Sequence, residues 1–496
     1  MSTVKTGMPA ALASWMTGTI DFESQGLRTI ALTFLTMKSL SEGGRGEGPG
    51  AEVTVDSYEP TTRASRRLLA DYGMVVVLLL LCAFFSFLTV EAQSPVGIDA
   101  ARQVSARISD LGKAPTVLIA VADQPAEVAF AAAVRRELEQ AGGKVLGEAK
   151  GQPRDARREL ERIQKEGHKL DAIACTRESA TWLLFQDLKS DFPTLGDPRI
   201  IAPESYRWPN FLKSENLLNI ANQIAVIAIL AIGMTIVIIT GGIDLSVGSL
   251  LALSAVLATR FIRDVFGGAQ AGLLGMIGSS AAAIAVCGSV GAFSGLMITK
   301  FRIPPFIVTL AMMLVGSGLA FTLANGQSIY QVPDSFVWLG RGADLGLPNA
   351  VLLMLVLYAV AHLLMTRTII GRHFYAVGGN RSAAWYSGVR VDRVLMTAYI
   401  ISGLLAGLGG VIMASQLKSG SPTYGNMYEL YVIAAVVVGG ASLSGGEGRM
   451  FATLVGAFTI AVIQNGMNLT NVESYTQKVV LGLVILSAVV LDKLRH

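Results

Sequence analysis

The 496 residues are 52% hydrophobic and 15% charged, with a mean hydropathy of +0.52, whereas a soluble domain carries about 25% charged residues. The bulk of the chain is therefore excluded from the soluble globular class and reads as a polytopic α-helical membrane protein. A net charge of +4 suggests no nucleic-acid partner. Cys82, Cys175 and Cys287 lie in separate segments, with no metal-ligand spacing and no obvious pair.

In chain order, residues 1–62 show no strong hydrophobic period and contain the run GGRGEGPG at 43–50, which predicts a flexible cytoplasmic extension. Residues 74–90 carry no charge, follow Arg63, Arg66 and Arg67, and precede Glu91. The basic flank places the start of this first transmembrane helix, 72–91, in the cytoplasm, so that it runs outward. Residues 93–212 change character. Strands at 117–121, 144–147, 170–175 and 199–202 alternate with helices at 127–140, 154–166 and 178–188, the pattern of a parallel, doubly wound α/β sheet. A small extracytoplasmic α/β domain is thus expected between the first and second spans.

The remainder, 216–496, opens with 28 uncharged residues at 216–243, more than enough to cross a core of about 30 Å. The stretch TGGIDLSVGS at 240–249 follows. Two glycines beside a carboxylate fit a helix break that presents Thr240, Asp244 and Ser246 to a substrate path at membrane depth. They equally fit a tight turn in which Asp244 caps the next helix at the water surface. Apolar runs at 245–259, 265–299, 303–324, 345–366, 394–417, 430–440, 450–469 and 474–491 bring the count to about ten spans. The 245–259 and 430–440 runs are short, and 265–299 is long enough for a broken helix. Alternation from an inward start puts Lys300, Arg302, Arg367, Arg372, Arg381, Arg390, Arg393, Arg449, Lys493 and Arg495 inside, with both termini. Arg260, Arg263, Arg341, Lys418 and Lys478 fall outside as exceptions to the positive-inside bias.

The inner loop 367–393 holds a candidate docking element. Asn380 can cap a short helix at 381–386 that presents Ala383, Ala384 and Tyr386, with Gly388 ending it. Such a helix suits a groove on another protein; an ordinary basic loop held near anionic lipid fits the same residues. Gln464, Asn465 and Asn468 near the outer end of the ninth span could meet substrate hydroxyls or bond neighbouring helices. His362, alone in its span, reads more simply as packed or helix-bonded than as functional.

Residues 230–249 (LAIGMTIVIITGGIDLSVGS), 303–310 (IPPFIVTL), the 376–391 loop and 438–449 (VGGASLSGGEGR) resemble the membrane permease subunit of bacterial ABC importers for monosaccharides, the ribose, xylose and arabinose type above all. The resemblance covers residue 216 to the end plus the first span. It implies a translocation subunit of the bacterial cytoplasmic (inner) membrane that is not itself an enzyme and moves a small sugar by alternating access. It also implies a pore completed by a second permease copy or a paralogue, and a periplasmic sugar-binding protein docking outside. No cofactor would bind this chain; ATP would sit on cytoplasmic ABC ATPase subunits, whose docking loop would use Gly378, Asn380, Arg381, Ala383, Ala384, Tyr386 and Gly388.

The leader and the α/β insert depart from the family pattern. The insert loosely resembles one lobe of a periplasmic sugar-binding protein at LDAIACTRESA, 170–180, and either docks, orients or partly replaces that protein or serves as a spacer with no ligand. LSGGE at 443–447 imitates the signature of ABC ATPases, but the chain has no GxxxxGK[ST] phosphate loop to complement it. A membrane-anchored ligand sensor and an ion-coupled secondary sugar carrier are the rival classes. Short inner loops count against the first and the scarcity of buried charges against the second.

Overall fold

The computed structural model describes the backbone of residues 60–495 and the side chains of 73–490. All but the last three residues of the extension expected at 1–62 lie outside that range. The first helix, α1 (Pro60–Leu88), ends at a pair of antiparallel strands, β1 (Val90–Gln93) and β6 (Tyr206–Pro209), which pair from Val90↔Pro209 to Gln93↔Tyr206. This ribbon is the stalk of the α/β insert. Thr89 closes its base by accepting backbone hydrogen bonds from Asn210 on its carbonyl (2.8 Å) and from Phe211 on its hydroxyl (3.1 Å).

Between the stalk strands the chain forms α2 (Gly97–Ser109), β2 (Thr116–Val121), α3 (Pro125–Gln140), β3 (Lys144–Lys150), α4 (Pro153–Lys165), β4 (Ala172–Cys175) and β5 (Arg199–Ile201). The four strands β2 to β5 pair in parallel in the order β3-β2-β4-β5. The β2-to-β3 and β3-to-β4 crossovers run in opposite directions along the sheet, so right-handed connections put α3 and α4 on opposite faces. Two separate cores result, one under α2 and α3 built around Val104, Ile119 and Phe130, the other under α4 built around Leu118, Leu160 and Ile173.

The helix expected at 178–188 is replaced by two short 3-10 turns, Ser179–Thr181 and Leu183–Phe185, and a one-turn helix, Leu188–Asp191. Ser179 is the cause: its hydroxyl donates to the Ala120 carbonyl (2.6 Å) and accepts from the Thr176 amide (2.9 Å), which pulls the chain back onto the end of β2.

The membrane domain contains α5 (Ser214–Ile239), α6 (Val247–Val265), α7 (Leu273–Lys300), α8 (Pro305–Leu323), α9 (Asn349–Arg367), α10 (Ile369–Gly379), α11 (Arg381–Tyr386), α12 (Val391–Leu417), α13 (Tyr428–Val438), α14 (Met450–Leu469) and α15 (Ser474–Arg495). Among the described residues six helices, α5, α7, α8, α9, α12 and α14, are long and apolar enough to cross a membrane. At 1.5 Å per residue they measure about 28–42 Å. The 265–299 run is interrupted at 266–272, between the end of α6 and the start of α7, and the 430–440 run gives α13, whose 11 residues rise only about 16 Å and cannot cross alone.

α5 is the central helix, buried continuously from Ile224 to Ile239. Around it the helices approach through small residues, as membrane packing requires when lipid offers no hydrophobic drive. On α7 and α12 the glycines interlock: a Cβ on Gly291 would collide with the Tyr399 carbonyl, one on Gly403 with the Cys287 carbonyl, and one on Gly407 would come within 2.9 Å of Ile284 Cα. α6 meets α12 where Ser254 Oγ donates to the Gly407 carbonyl at 2.7 Å.

Four of the five basic residues that break the inner bias, Arg260, Arg263, Arg341 and Lys418, have local acidic or carbonyl partners. Asp264 takes both Arg260 (3.2 Å) and Arg263 (2.6 Å), Lys418 pairs with Asp334, and Arg341 donates to the Gln416 carbonyl. The Asp264 pairs lie in the six residues by which α6 runs past its expected end, and the Lys418 ammonium holds Asp334 below the ordinary carboxylate range.

Candidate functional site

α5 ends at Ile239, and Gly241 takes a left-handed φ of +76°, a conformation that glycine adopts without strain. Gly242 then passes so close to the Tyr399 hydroxyl that a side chain there would collide with it. Asp244 follows and is 2% exposed. Its Oδ1 accepts from the Ser246 amide (3.0 Å) and the Ser246 hydroxyl (2.6 Å), and its Oδ2 accepts from the Ser402 hydroxyl on α12 (2.7 Å). A carboxylate in such a place is tolerated only when its oxygens are paired.

The two sequence readings therefore merge: Asp244 shapes the turn that starts α6, but it does so inside the protein rather than at a water surface. Thr240 is buried with its hydroxyl on the Val237 carbonyl (2.8 Å). The polar side-chain atoms of Thr240, Asp244 and Ser246 are thus engaged with protein, and the geometry is that of a latch between α5, α6 and α12.

The inner loop folds into α10 and α11. Asn380 Oδ1 accepts from the Ala383 amide at 2.9 Å, the N-cap bond. At the other end Val389 N donates to Ala384 O (3.0 Å) and Gly388 N to Trp385 O (2.9 Å), with Gly388 at φ +82°. This is a Schellman close.

One expectation fails here. Ala384 is not presented outward; it is 5% exposed and packs on Val377 and Leu395. The outward face is Ala383 with Trp385 (64% exposed) and Tyr386 (81% exposed), whose rings meet edge-on at 5.0 Å. Trp385 was legible as an aromatic one residue before Tyr386 on the same short helix, and the small-residue reading passed it over.

The two features are joined. Arg381 Nη2 donates to the Thr240 carbonyl at 3.3 Å, and Gly446 N donates to the Ile239 carbonyl at 2.8 Å. Gly378 fills the same junction: a Cβ there would collide with the Ile239 carbonyl and come within 2.6 Å of Gly446 N. Tyr375 Oη donates to the Gly448 carbonyl at 2.7 Å. The LSGGE segment is therefore a glycine turn packed on the end of α5. Three backbone segments, 239–242, 378–381 and 444–448, meet closely at their glycines.

The amide residues lie at the opposite end of α5, about 39 Å away by its 26 residues. Asn465 and Asn216 exchange side-chain hydrogen bonds in both directions (2.8 and 3.0 Å), and Asn468 accepts from Gln477 (2.8 Å). Both serve helix bonding; Gln464 is half-buried beside them. His362 lies on the exposed face of α9 rather than packed within the bundle. Among the described residues no group of three or more His, Cys, Asp or Glu side chains could hold a metal ion.

Comparison with known proteins adds to this geometry. A family model described as the permease component of the branched-chain amino acid transport system matches residues 216–489. The chain is 42% identical to the ribose import permease protein RbsC of Escherichia coli strain K12 over 297 residues, 59% of this chain and 90% of that protein. It is 44% identical to RbsC of Bacillus subtilis strain 168 over 303 residues, 61% of this chain and 92% of that protein. Identity to the D-allose transport system permease protein AlsC of Escherichia coli strain K12 is 35% over 284 residues, 57% of this chain and 85% of that protein. No solved structure matches the chain.

Proposed function

Because the chain belongs to the family of permease components of the branched-chain amino acid transport system, we infer that it is the transmembrane subunit of an ABC importer, a multi-pass protein of the bacterial inner membrane, and we propose that it carries a small sugar of the ribose class. The likeness to ribose import permeases over 90% of their length supports the sugar over an amino acid. The chain itself performs no covalent chemistry; ATP is bound and hydrolysed on separate subunits.

The observation that carries the mechanism is the tie from Arg381 on α11 to the Thr240 carbonyl, next to the turn that holds Asp244. ATPase subunits grip Trp385, Tyr386 and Ala383. As they close and reopen, the displacement passes through Arg381 and the glycine junction to the 240–246 turn, and through Asp244–Ser402 to α12. Interlocked with α7 and α6 by glycines, α12 moves them together, and the path alternates between outward-open and inward-open states.

In this reading α1, α6 and α15 add full crossings to the six, and the tenth passage is shared between the non-helical chain at 418–427 and α13. That parity keeps both termini inside and the α/β insert outside, where it orients a sugar-binding protein. A second copy or a paralogue completes the pore.

The test is reconstitution with the ATPase and binding protein, followed by uptake of labelled D-ribose and L-leucine. Saturable ATP-dependent ribose uptake that leucine does not compete is expected. Leucine uptake indifferent to ribose would overturn the sugar assignment.

A further inference from the structure

The passage between α12 and α13 is unlike the others. Gly420 is pinned by a two-way backbone pair with Ile329 (2.8 and 2.9 Å), and a Cβ on it would come within 2.5 Å of Ala255 O and collide with Thr259 of α6. Gly425, at φ +69°, lies against Gly248 O (a Cβ there would sit at 2.5 Å) and Leu251 of the same helix. From Thr259 to Gly248 is about 16 Å of helix, and the chain passes alongside it through Ser421 and the turns at 422–427 rather than through a helix.

Met427 then takes a left-handed φ of +67°, strained for a side chain of its size, and α13 begins. Glu429 in its first turn lies about 14 Å above Val438 by helical rise. The two distances sum to about the 30 Å of a bilayer core, so Glu429 sits near the midplane.

Its carboxylate packs over Gly248, where a Cβ would come within 2.5 Å of Oε2. The first turns of α6 and α13 both aim positive dipole ends at this place, which makes a carboxylate tolerable there. Around it Tyr428 and Tyr431 meet edge-on at 6.3 Å, and Asn426, Met427 (44% exposed) and Leu430 face outward from the packed core. A carboxylate that accepts from vicinal hydroxyls, beside aromatic faces that take the C–H face of a pyranose or furanose, is the chemistry of a polyhydroxyl site.

We propose that Glu429, with Tyr428 and Tyr431, forms a sugar-binding station halfway along the translocation path, built by the break between α12 and α13. The station rests on the importer reading and replaces Thr240, Asp244 and Ser246 as the substrate contacts.

The experiment uses the full chain reconstituted with its ATPase and binding protein, with labelled D-ribose as the probe. Glu429→Gln is expected to lower ribose uptake about tenfold or more while ATPase stimulation by the binding protein changes less than about twofold, the scale of one lost charged hydrogen bond. Met427→Cys in a Cys82→Ser background is expected to react with a charged, membrane-impermeant thiol reagent, and saturating ribose is expected to slow that reaction. This second variant reads the path even where Glu429→Gln fails to fold. Unchanged uptake by Glu429→Gln, or reaction of Met427→Cys with lipid-soluble reagents alone, would overturn the station while leaving the importer intact. Absence of ATP-driven ribose uptake by the parent chain would overturn the sugar reading and the station with it.

Discussion

Replacing Ser402 with alanine isolates the long-range half of the Asp244 latch. Of the three hydrogen bonds on that carboxylate, two come from Ser246 and are local to the turn; the third, from Ser402 at 2.7 Å, reaches across to α12. A hydrogen bond to a charged group contributes about 1.5–3 kcal/mol, and loss of the donor leaves a buried oxygen unpaired. In membrane helices measured hydrogen-bond couplings are smaller, at most about 1.7 kcal/mol, because the unfolded state in lipid also finds partners. Combining the two, Ser402→Ala should destabilise the chain by about 1.5–2 kcal/mol.

Asp244→Ala should cost more, because three donors lose their acceptor. The double variant should cost about 1.5 kcal/mol less than the sum of the singles, since the shared bond is lost only once. Equilibrium unfolding in mixed micelles measures all three. Additivity of the two single variants within about 0.5 kcal/mol would refute the latch.

On the docking helix, Trp385→Ala should weaken ATPase binding by about tenfold or more, as loss of an exposed aromatic anchor does, with unfolding midpoints unchanged; Ala384→Asp should instead unfold the loop, because its side chain lies against Val377 and Leu395. Pull-down of the ATPase alongside a thermal melt separates the two outcomes. Burial pushes the Cys175 thiol up to about 12. The thiolate is the reactive form, so at pH 8 a maleimide should label Cys175 roughly a thousandfold more slowly in the folded insert than after denaturation, on the scale of three pH units. Mass spectrometry of labelled peptides reads the rate. Replacing 94–205 with an Asn-Gly turn should leave the membrane domain folded, because Gln93 and Tyr206 are paired neighbours that a two-residue hairpin can join. Ribose uptake by that variant then reports the insert's role, and a fall of about tenfold or more with normal folding is expected if it orients the binding protein.

The parallel sheet of the insert is legible because its strands are short apolar runs, such as 117–121, separated by charged helices of steady period. The stalk is not, since VEAQ and YRWP alternate for only four residues each, too short a period to read as a strand, and each finds its partner across the whole insert. α2 also escapes, although its buried Ala100, Ala101, Val104 and Ile108 recur at helical spacing; its charged surface masks the stripe. In the membrane domain apolar runs locate helices but not their depth. α13 reads as a short span until Gly420 and Gly425 are found against the middle and the start of α6, contacts that a linear pattern cannot encode. Asp244 is visible as an anomaly, yet its partner Ser402 lies 158 residues away, and only packing brings the two together. Ala384 shows the converse error, because a small residue on a short helix reads the same whether it is presented or packed.

The central claim is that this chain is a conduit driven by ATP hydrolysed elsewhere and delivered through Arg381. The measurement that tests it most directly is ribose accumulation by proteoliposomes containing the chain with and without the ATPase and binding protein. Accumulation only in the complete assembly, with Arg381→Glu hydrolysing ATP but importing no sugar, is the predicted result; accumulation by the chain alone against a gradient would contradict it.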